Sequence, residues 1–214
     1  MIAPQATLDH LTVAALTLEQ GVAHVQRALG VTVPSGGGHP LMATHNCLMQ
    51  LGDGVFLEII APDPAADAQR TRWFSLDDPQ MQARLHRSPR LISWVARVPD
   101  LGLALRELGG AVGEAVRVTR GSLSWLMSVP PDGSMPYGGA FPTLMEWPAG
   151  LHPASRMANL NCRLEHLAIE HPDSSGLTEA LASIFSDDRV TISSGATAQL
   201  RATIKTPDGP RELT

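Results

Sequence analysis

The sequence is poor in aromatic residues, in cysteine and in clustered positive charge, and each shortage excludes a class of protein. Aromatics make up only 4% of the 214 residues, so Leu, Val, Ile, Met and Ala must fill the core from an apolar fraction of 43%. The two cysteines, Cys47 and Cys162, are far apart, with no CxxC pair; two buried thiols are expected rather than a disulfide framework. The formal charge is −5 and no run of Lys or Arg occurs, which gives no electrostatic reason to expect a nucleic-acid partner. No apolar run approaches the roughly 18 residues of a membrane span. The N-terminus MIAPQATLDH has neither a basic region nor an apolar core, so no signal peptide is expected and the cytoplasm is the expected location. GxGxxG is missing, which argues against a nucleotide cofactor, and so are GxSxG and HExxH. Ser35–Pro40 is glycine-rich but lacks the Lys of a phosphate loop, and reads as a flexible turn or a lid over a site.

What is present is a mixed α/β pattern that repeats. Leu8–Ala14 reads as a strand, with Leu8, His10 and Thr12 on one face and Asp9, Leu11 and Val13 on the other. Thr17 caps a helix carrying Leu18, Val22, Val25 and Leu29 at helical spacing, and Gly30 stops it. Thr44–Leu51 and Val55–Ile60 form a hairpin around Gly52-Asp53-Gly54. On the return strand Phe56, Glu58 and Ile60 share a face, and a carboxylate in so apolar a strand is costly unless paired. After a linker with a short helix near Pro79–His86, the order recurs: strand Leu91–Val98, helix from Asp100, hairpin around Arg120-Gly121, and a final strand through Met145-Glu146-Trp147. A third segment opens with Leu164–Ile169, echoing Leu8–Val13. It continues through a helix and two strands to a surface tail at Asp208-Gly209-Pro210, and is expected to extend the second sheet or cover an edge.

The fold expected is α+β: paired βαβββ modules whose curved mixed sheets surround a cleft, with an additional C-terminal βαββ segment on the same globular unit. The divisions are a first module at 1–64, a linker at 65–88, a second module at 89–148 and the C-terminal segment at 160–207. If the first strand and the hairpin share a sheet, His10 and Glu58 converge on one face. They then either bond each other, line a metal-free pocket, or hold a cation. Glu58 and Glu146 are candidate general bases, because facing carboxylates raise one another's pKa. His45 and Asn46 at the cleft mouth, and Phe56, Trp94, Trp125 and Trp147 as an apolar wall, are candidate contacts to a small organic ligand. His39 and His152, each before a proline, read chiefly as loop residues, and His166 as a structural strand histidine.

LDHLTVAA, THNCLMQLGDGVFLEIIAPDP, RVPDLGLAL, FPTLMEWPAGLHP and RLEHLAIEHPD together resemble the glyoxalase-like domain proteins of the vicinal-oxygen-chelate superfamily, over Leu8 to Asp173. The resemblance implies ligands for a divalent metal (iron, zinc, manganese or nickel) on the first and last strands of each module. That places His10, Glu58 and Glu146 in ligand positions, and leaves either Ser93, a poor ligand and the second module's counterpart of His10, or His166 to complete the site. It implies either a lyase, isomerase or dioxygenase acting on a small carbonyl or vicinal-oxygen compound, or a metal-free protein that binds or sequesters a small molecule. Unclosed module sheets commonly pair, so a homodimer is expected.

Overall fold

The computed structural model describes residues 5–110, 112–121, 123–150 and 152–214. Residues 1–4, part of the stretch read as lacking a signal peptide, lie outside the described residues. Among those described, no helix is long and apolar enough to cross a membrane.

The first module runs β1 (Thr7–Ala14), α1 (Leu18–Leu29), β2 (Ser35–His39), β3 (Thr44–Gln50) and β4 (Phe56–Pro62). The Thr17 hydroxyl accepts the Gln20 N–H to start α1, and Gly30, at φ 77°, ends it in the left-handed region. The second module repeats the order with β5 (Arg90–Arg97), α3 (Leu101–Glu107), β6 (Glu114–Arg120), β7 (Leu123–Val129) and β8 (Thr143–Glu146); α2 (Pro79–Arg87) lies between the modules. The eight strands form one mixed sheet in the order β2-β3-β4-β1-β5-β8-β7-β6. β1 and β5 join the modules antiparallel at its centre, and each pairs in parallel with its module's last strand. The sheet curls until its edges meet: the Gly37 backbone on β2 lies against the Arg120 side chain on β6.

The glycine-rich segment is therefore an edge strand, neither a turn nor a lid. A Cβ on Gly36 would lie 2.3 Å from Asn46 Oδ1, and one on Gly37 2.8 Å from Arg120 Cδ. Glycine lets the strand close onto both side chains.

The third unit comprises β9 (Arg163–His171), α4 (Ser174–Ala182), β10 (Val190–Ser194), β11 (Gln199–Thr206) and β12 (Gly209–Leu213), in the order β10-β9-β11-β12. Gly209–Leu213, read from the sequence as a tail, is a strand: Thr206 and Gly209 turn the chain back onto β11, and Leu213 is buried. The unit forms its own sheet. β11 packs on β5 and β12 on α1. Leu164, Leu167, Ile169, Leu200, Ile204 and Leu213 join Leu11, Val13 and Trp94 in one core on the outer face of the large sheet.

The inner face holds a second core of Ile60, Ile92, Val95, Val118, Trp125, Met127 and Met145, closed at one end by the linker's Trp73 and Phe74 and by Met81 and Leu85 of α2. Phe74 and Ser75 adopt φ of 57° and 54°, a turn that is strained for an aromatic residue, and the Ser75 N–H donates to the Gly133 carbonyl at 2.8 Å. What remains open inside the curl is the candidate site.

Candidate functional site

Strand alternation would turn Asp9 away from His10. Instead β1 carries a bulge: Leu8 pairs with Ala96 and His10 with Val95, so Asp9 is an extra residue with no partner on β5. A bulge re-aims side chains, and here it puts two neighbours on one side. His10 Nδ1–H donates to Asp9 Oδ1 at 2.7 Å. The other Asp9 oxygen accepts from Trp147 Nε1–H at 2.9 Å and His152 Nε2–H at 2.8 Å, with Arg97 at 3.5 Å. Asp9 is completely buried, so these donors replace all of its water.

The far side of the imidazole faces Glu58, with Nε2 3.6 Å from Oε2. That is ion-pair distance but beyond a good hydrogen bond. Asn46 Nδ2 donates to Glu58 Oε1 at 2.7 Å, and Asn46 Oδ1 accepts the Gly37 N–H at 2.9 Å. The same Asn46 amide lies 3.4 Å from His39 Nε2, which acts as acceptor; His39 Nδ1–H then donates to the Thr44 hydroxyl at 3.0 Å. Phe56 stacks on the His10 ring at 4.3 Å and 20°, a cation–π arrangement when the ring is protonated.

Burial alone would discharge every group in this chain. For Glu58 it raises the pKa, but the facing His10 charge, His39 and the Asn46 hydrogen bond outweigh it and bring the value down to about 2. For His10, burial is outweighed by Asp9 and Glu58, and the value rises to about 9. Asp9 feels burial most, yet the bonds from His10 and His152 hold it well below the usual carboxylate range. His39 lacks an adjacent carboxylate bond, and burial pushes it down to about 4. At neutral pH an imidazolium thus sits between two carboxylates, beside a neutral imidazole.

His10, His39, Asn46 and Glu58 line a narrow cleft whose other walls are Leu48, Phe56, Trp73, Phe74, Arg120, Trp125, Met127, Met145 and Trp147. Of the candidates from the sequence, His10, Asn46, Phe56, Glu58, Trp125 and Trp147 meet here. Three do not. Glu146 follows Met145 on β8, so alternation turns it to the outer face, where its carboxylate accepts the Leu101 N–H at the start of α3 at 2.7 Å. Trp94 lies on the outer face for the same reason; it packs on Phe185 and donates to the Ala140 carbonyl at 2.8 Å. His45 points away from its neighbours Thr44 and Asn46 and lines a separate pocket with Glu19 and Asp63. Ser93 donates to the Trp94 carbonyl, and His166 bonds Thr191 in the C-terminal sheet. Asp9, Arg120, Trp73 and the placement of His39 and His152 were missed. The bulge has no sequence signature, but Asp beside His in an apolar strand was a signal, since a buried carboxylate needs a donor.

A family model described as glyoxalase-like domain matches residues 8–185, both modules and the start of the third unit. The chain belongs to the glyoxalase-like domain family. No curated protein matches it. Among solved structures, a hypothetical protein from Staphylococcus aureus is 12% identical over 94% of this chain and 91% of its own, with a TM-score of 0.65; the two share a fold. Methylmalonyl-CoA epimerase from Mycobacterium tuberculosis is 19% identical over 72% of this chain and 97% of its own, with a TM-score of 0.42.

The donors in this glyoxalase-like domain do not fit a divalent ion. The first module offers His10 and Glu58. The second module's contributions to the cleft are Arg120, Trp125, Met127, Met145 and Trp147, with no imidazole or carboxylate among them. No group of three or more His, Cys, Asp or Glu suited to a metal occurs among the described residues, whereas a catalytic zinc site uses three protein ligands.

Proposed function

We propose that this glyoxalase-like protein is a metal-independent proton-transfer enzyme of the isomerase or lyase type, acting on a small carbonyl compound. The observation that carries the reading is the buried Asp9–His10–Glu58 chain at the end of an apolar, tryptophan-lined cleft.

While it faces His10, Glu58 is a weak base, because the imidazolium stabilises its charge. The 3.6 Å gap between them is the point of attack. A substrate carbonyl oxygen that accepts the His10 Nε2–H draws that proton away from Glu58. The carboxylate then keeps its burial, which raises its pKa, and shares the imidazolium with the carbonyl oxygen instead of facing it alone. Glu58 becomes basic only when the carbonyl is in place. It takes a proton from the carbon beside the carbonyl, and the electron pair moves onto the oxygen as a C–H bond breaks and an O–H contact to His10 tightens. Asp9 keeps the imidazolium charged and fixes its ring, so the developing oxyanion meets a preorganised cation. Return of the proton to another face or carbon gives isomerisation; loss of a neighbouring leaving group gives a lyase. Asn46 holds Glu58 Oε1 throughout.

The test is exchange of solvent deuterium into the carbon acid of a panel of small 2-oxo acids and ketones, followed by NMR on protein treated with EDTA. Exchange is expected for some members, and Glu58→Gln should slow it about 10²–10⁴-fold, the usual contribution of a general base. A second reading, a metal-free binding protein, is favoured by the near-complete burial of His10 and Glu58 at 2% and 6% exposure. Ligand binding with no exchange anywhere in the panel would select it, and exchange abolished by EDTA would remove the metal-independent mechanism.

A further inference from the structure

We propose that the ligand of this cleft is a small organic carboxylate with a flat or branched apolar body, its carboxylate held at the mouth by Arg120 and the indole N–H groups of Trp125 and Trp73. The proposal deepens the reading of the cleft as the binding site; it does not depend on the proton-transfer step.

Three observations converge. First, Arg120, at the end of β6, is partly buried against Gly37, with its guanidinium carbon 6.0 Å from the Trp125 ring centre. It has no carboxylate within 4.0 Å among the described residues, so its partly desolvated charge is offset only at longer range, by Glu58. Second, Trp73 Nε1 and Trp125 Nε1 are buried donors with no acceptor among the described residues. Both rings line the cleft and bracket His39 edge-on, at 5.0 and 5.9 Å. A buried indole N–H left unbonded costs about 1–3 kcal/mol, so two beside one cavity call for an occupant bearing acceptors. Third, the charges leave an excess of one sign. Asp9 and Glu58 are offset at short range by His10 and Arg97, so Arg120, which feels Glu58 only at longer range, supplies the excess positive charge.

The three unmatched groups are all donors, and the strongest is a cation whose fork suits a carboxylate. Arg120 and Trp147 also continue into an outer groove that adds Arg156, which puts the positive end at the mouth. The apolar body then lies inward among Met127, Met145 and Phe74, toward His10 and Glu58. A neutral ligand would leave Arg120 unmatched, and a phosphate-bearing ligand would fill the outer groove instead.

The experiment compares matched acids and amides, phenylacetate with phenylacetamide and cyclohexylacetate with its amide. Binding is followed by tryptophan fluorescence, to which Trp73, Trp125 and Trp147 contribute from the cleft wall, and is checked by calorimetry. Each acid is expected to bind at least tenfold more tightly than its amide, roughly 1.4 kcal/mol. Arg120→Gln should erase that preference by weakening the acids at least tenfold more than the amides, and Arg120→Lys, which keeps the charge, should retain part of it; Trp125→Phe should weaken the acids several-fold while keeping the ring. Equal affinity for acids and amides, a preference intact in Arg120→Gln, or no binding of any member at millimolar concentration would each overturn the proposal. Glu58→Gln separates the two readings: it should retain the acid preference while losing deuterium exchange. Acid preference without exchange in the unaltered protein would sink proton transfer alone, and exchange without acid preference would sink this proposal alone.

Discussion

Asp9 and His10 are adjacent in sequence yet joined through Oδ1 and Nδ1 at 2.7 Å, because the bulge in β1 leaves Asp9 unpaired on β5. Asp9 is the hub of the buried network: besides His10 it satisfies Trp147 and His152. Asp9→Asn keeps the shape but removes the charge that offsets His10, and breaking a buried ion pair on one side typically costs about 3–5 kcal/mol. We expect urea denaturation of Asp9→Asn to give a loss in that range and deuterium exchange to be abolished. A loss below about 1 kcal/mol, the size of a surface pair, would show that the charge is not held as the structure implies.

Stability should peak near pH 6.5 and fall on both sides. His10 is raised from 6.5 to about 9, so its contribution is complete below 6.5; between 6.5 and 9 the folded state binds the extra proton and stability falls as pH rises. His39 moves the other way, from 6.5 to about 4. Over that range the unfolded state binds the extra proton, and stability falls as pH drops. Glu58, lowered from 4.5 to about 2, adds a further loss below 4.5. The alkaline limb and the lowest acid limb are the same ion pair lost from either partner, worth a few kcal/mol once. Urea melts across this range should give the peak, and His39→Gln should flatten only the limb between 4 and 6.5. A profile flat from 6.5 to 9 would contradict the charged state assigned to His10.

Glu146 serves a helix rather than the cleft. Its carboxylate accepts the Leu101 N–H where α3 begins, beside the Asp100 cap. Loss of such a bond costs on the order of 0.5–2 kcal/mol. Glu146→Ala should lower stability by that amount and leave ligand affinity and deuterium exchange unchanged. A loss of binding in this variant with stability intact would return Glu146 to the site.

The two-module architecture was legible because each module repeats the same hydrophobic periods, and period is what backbone geometry reads. His10 and Glu58 were legible for a similar reason: a charged residue on a buried strand face needs a partner, and two such faces lay in one predicted sheet. Alternation then misled twice. It set Asp9 opposite His10, and only the offset between Leu8–Ala96 and His10–Val95 reveals the bulge. It gave no phase for β8, where four residues are too few to tell which side Met145 and Glu146 face. The C-terminal unit was misplaced because its strands pair with one another, and Gly209-Pro210 reads as a turn although Leu213 closes the core behind it.

Gly36 shows how a segment without chemistry of its own sets the site. Its missing Cβ leaves room for the Asn46 amide oxygen at 2.3 Å and the Asn46 carbonyl at 3.0 Å from where that carbon would be. Asn46 in turn holds Glu58, and Gly37 holds Asn46. Gly36→Ala must therefore push β2 outward or rotate Asn46, since the backbone carbonyl of β3 cannot yield. Overpacking of this kind costs about 1–3 kcal/mol. Rotation of Asn46 would also free Glu58 Oε1, one of the contacts that keep its pKa low. The expected result is a modest loss in stability together with a rise in the Glu58 pKa, measured by carbon-13 NMR of labelled glutamate. Asn46→Ala should reproduce the pKa change without the packing cost. If Gly36→Ala leaves the Glu58 titration where it was while Asn46→Ala moves it, the glycine shapes only the strand edge and not the site.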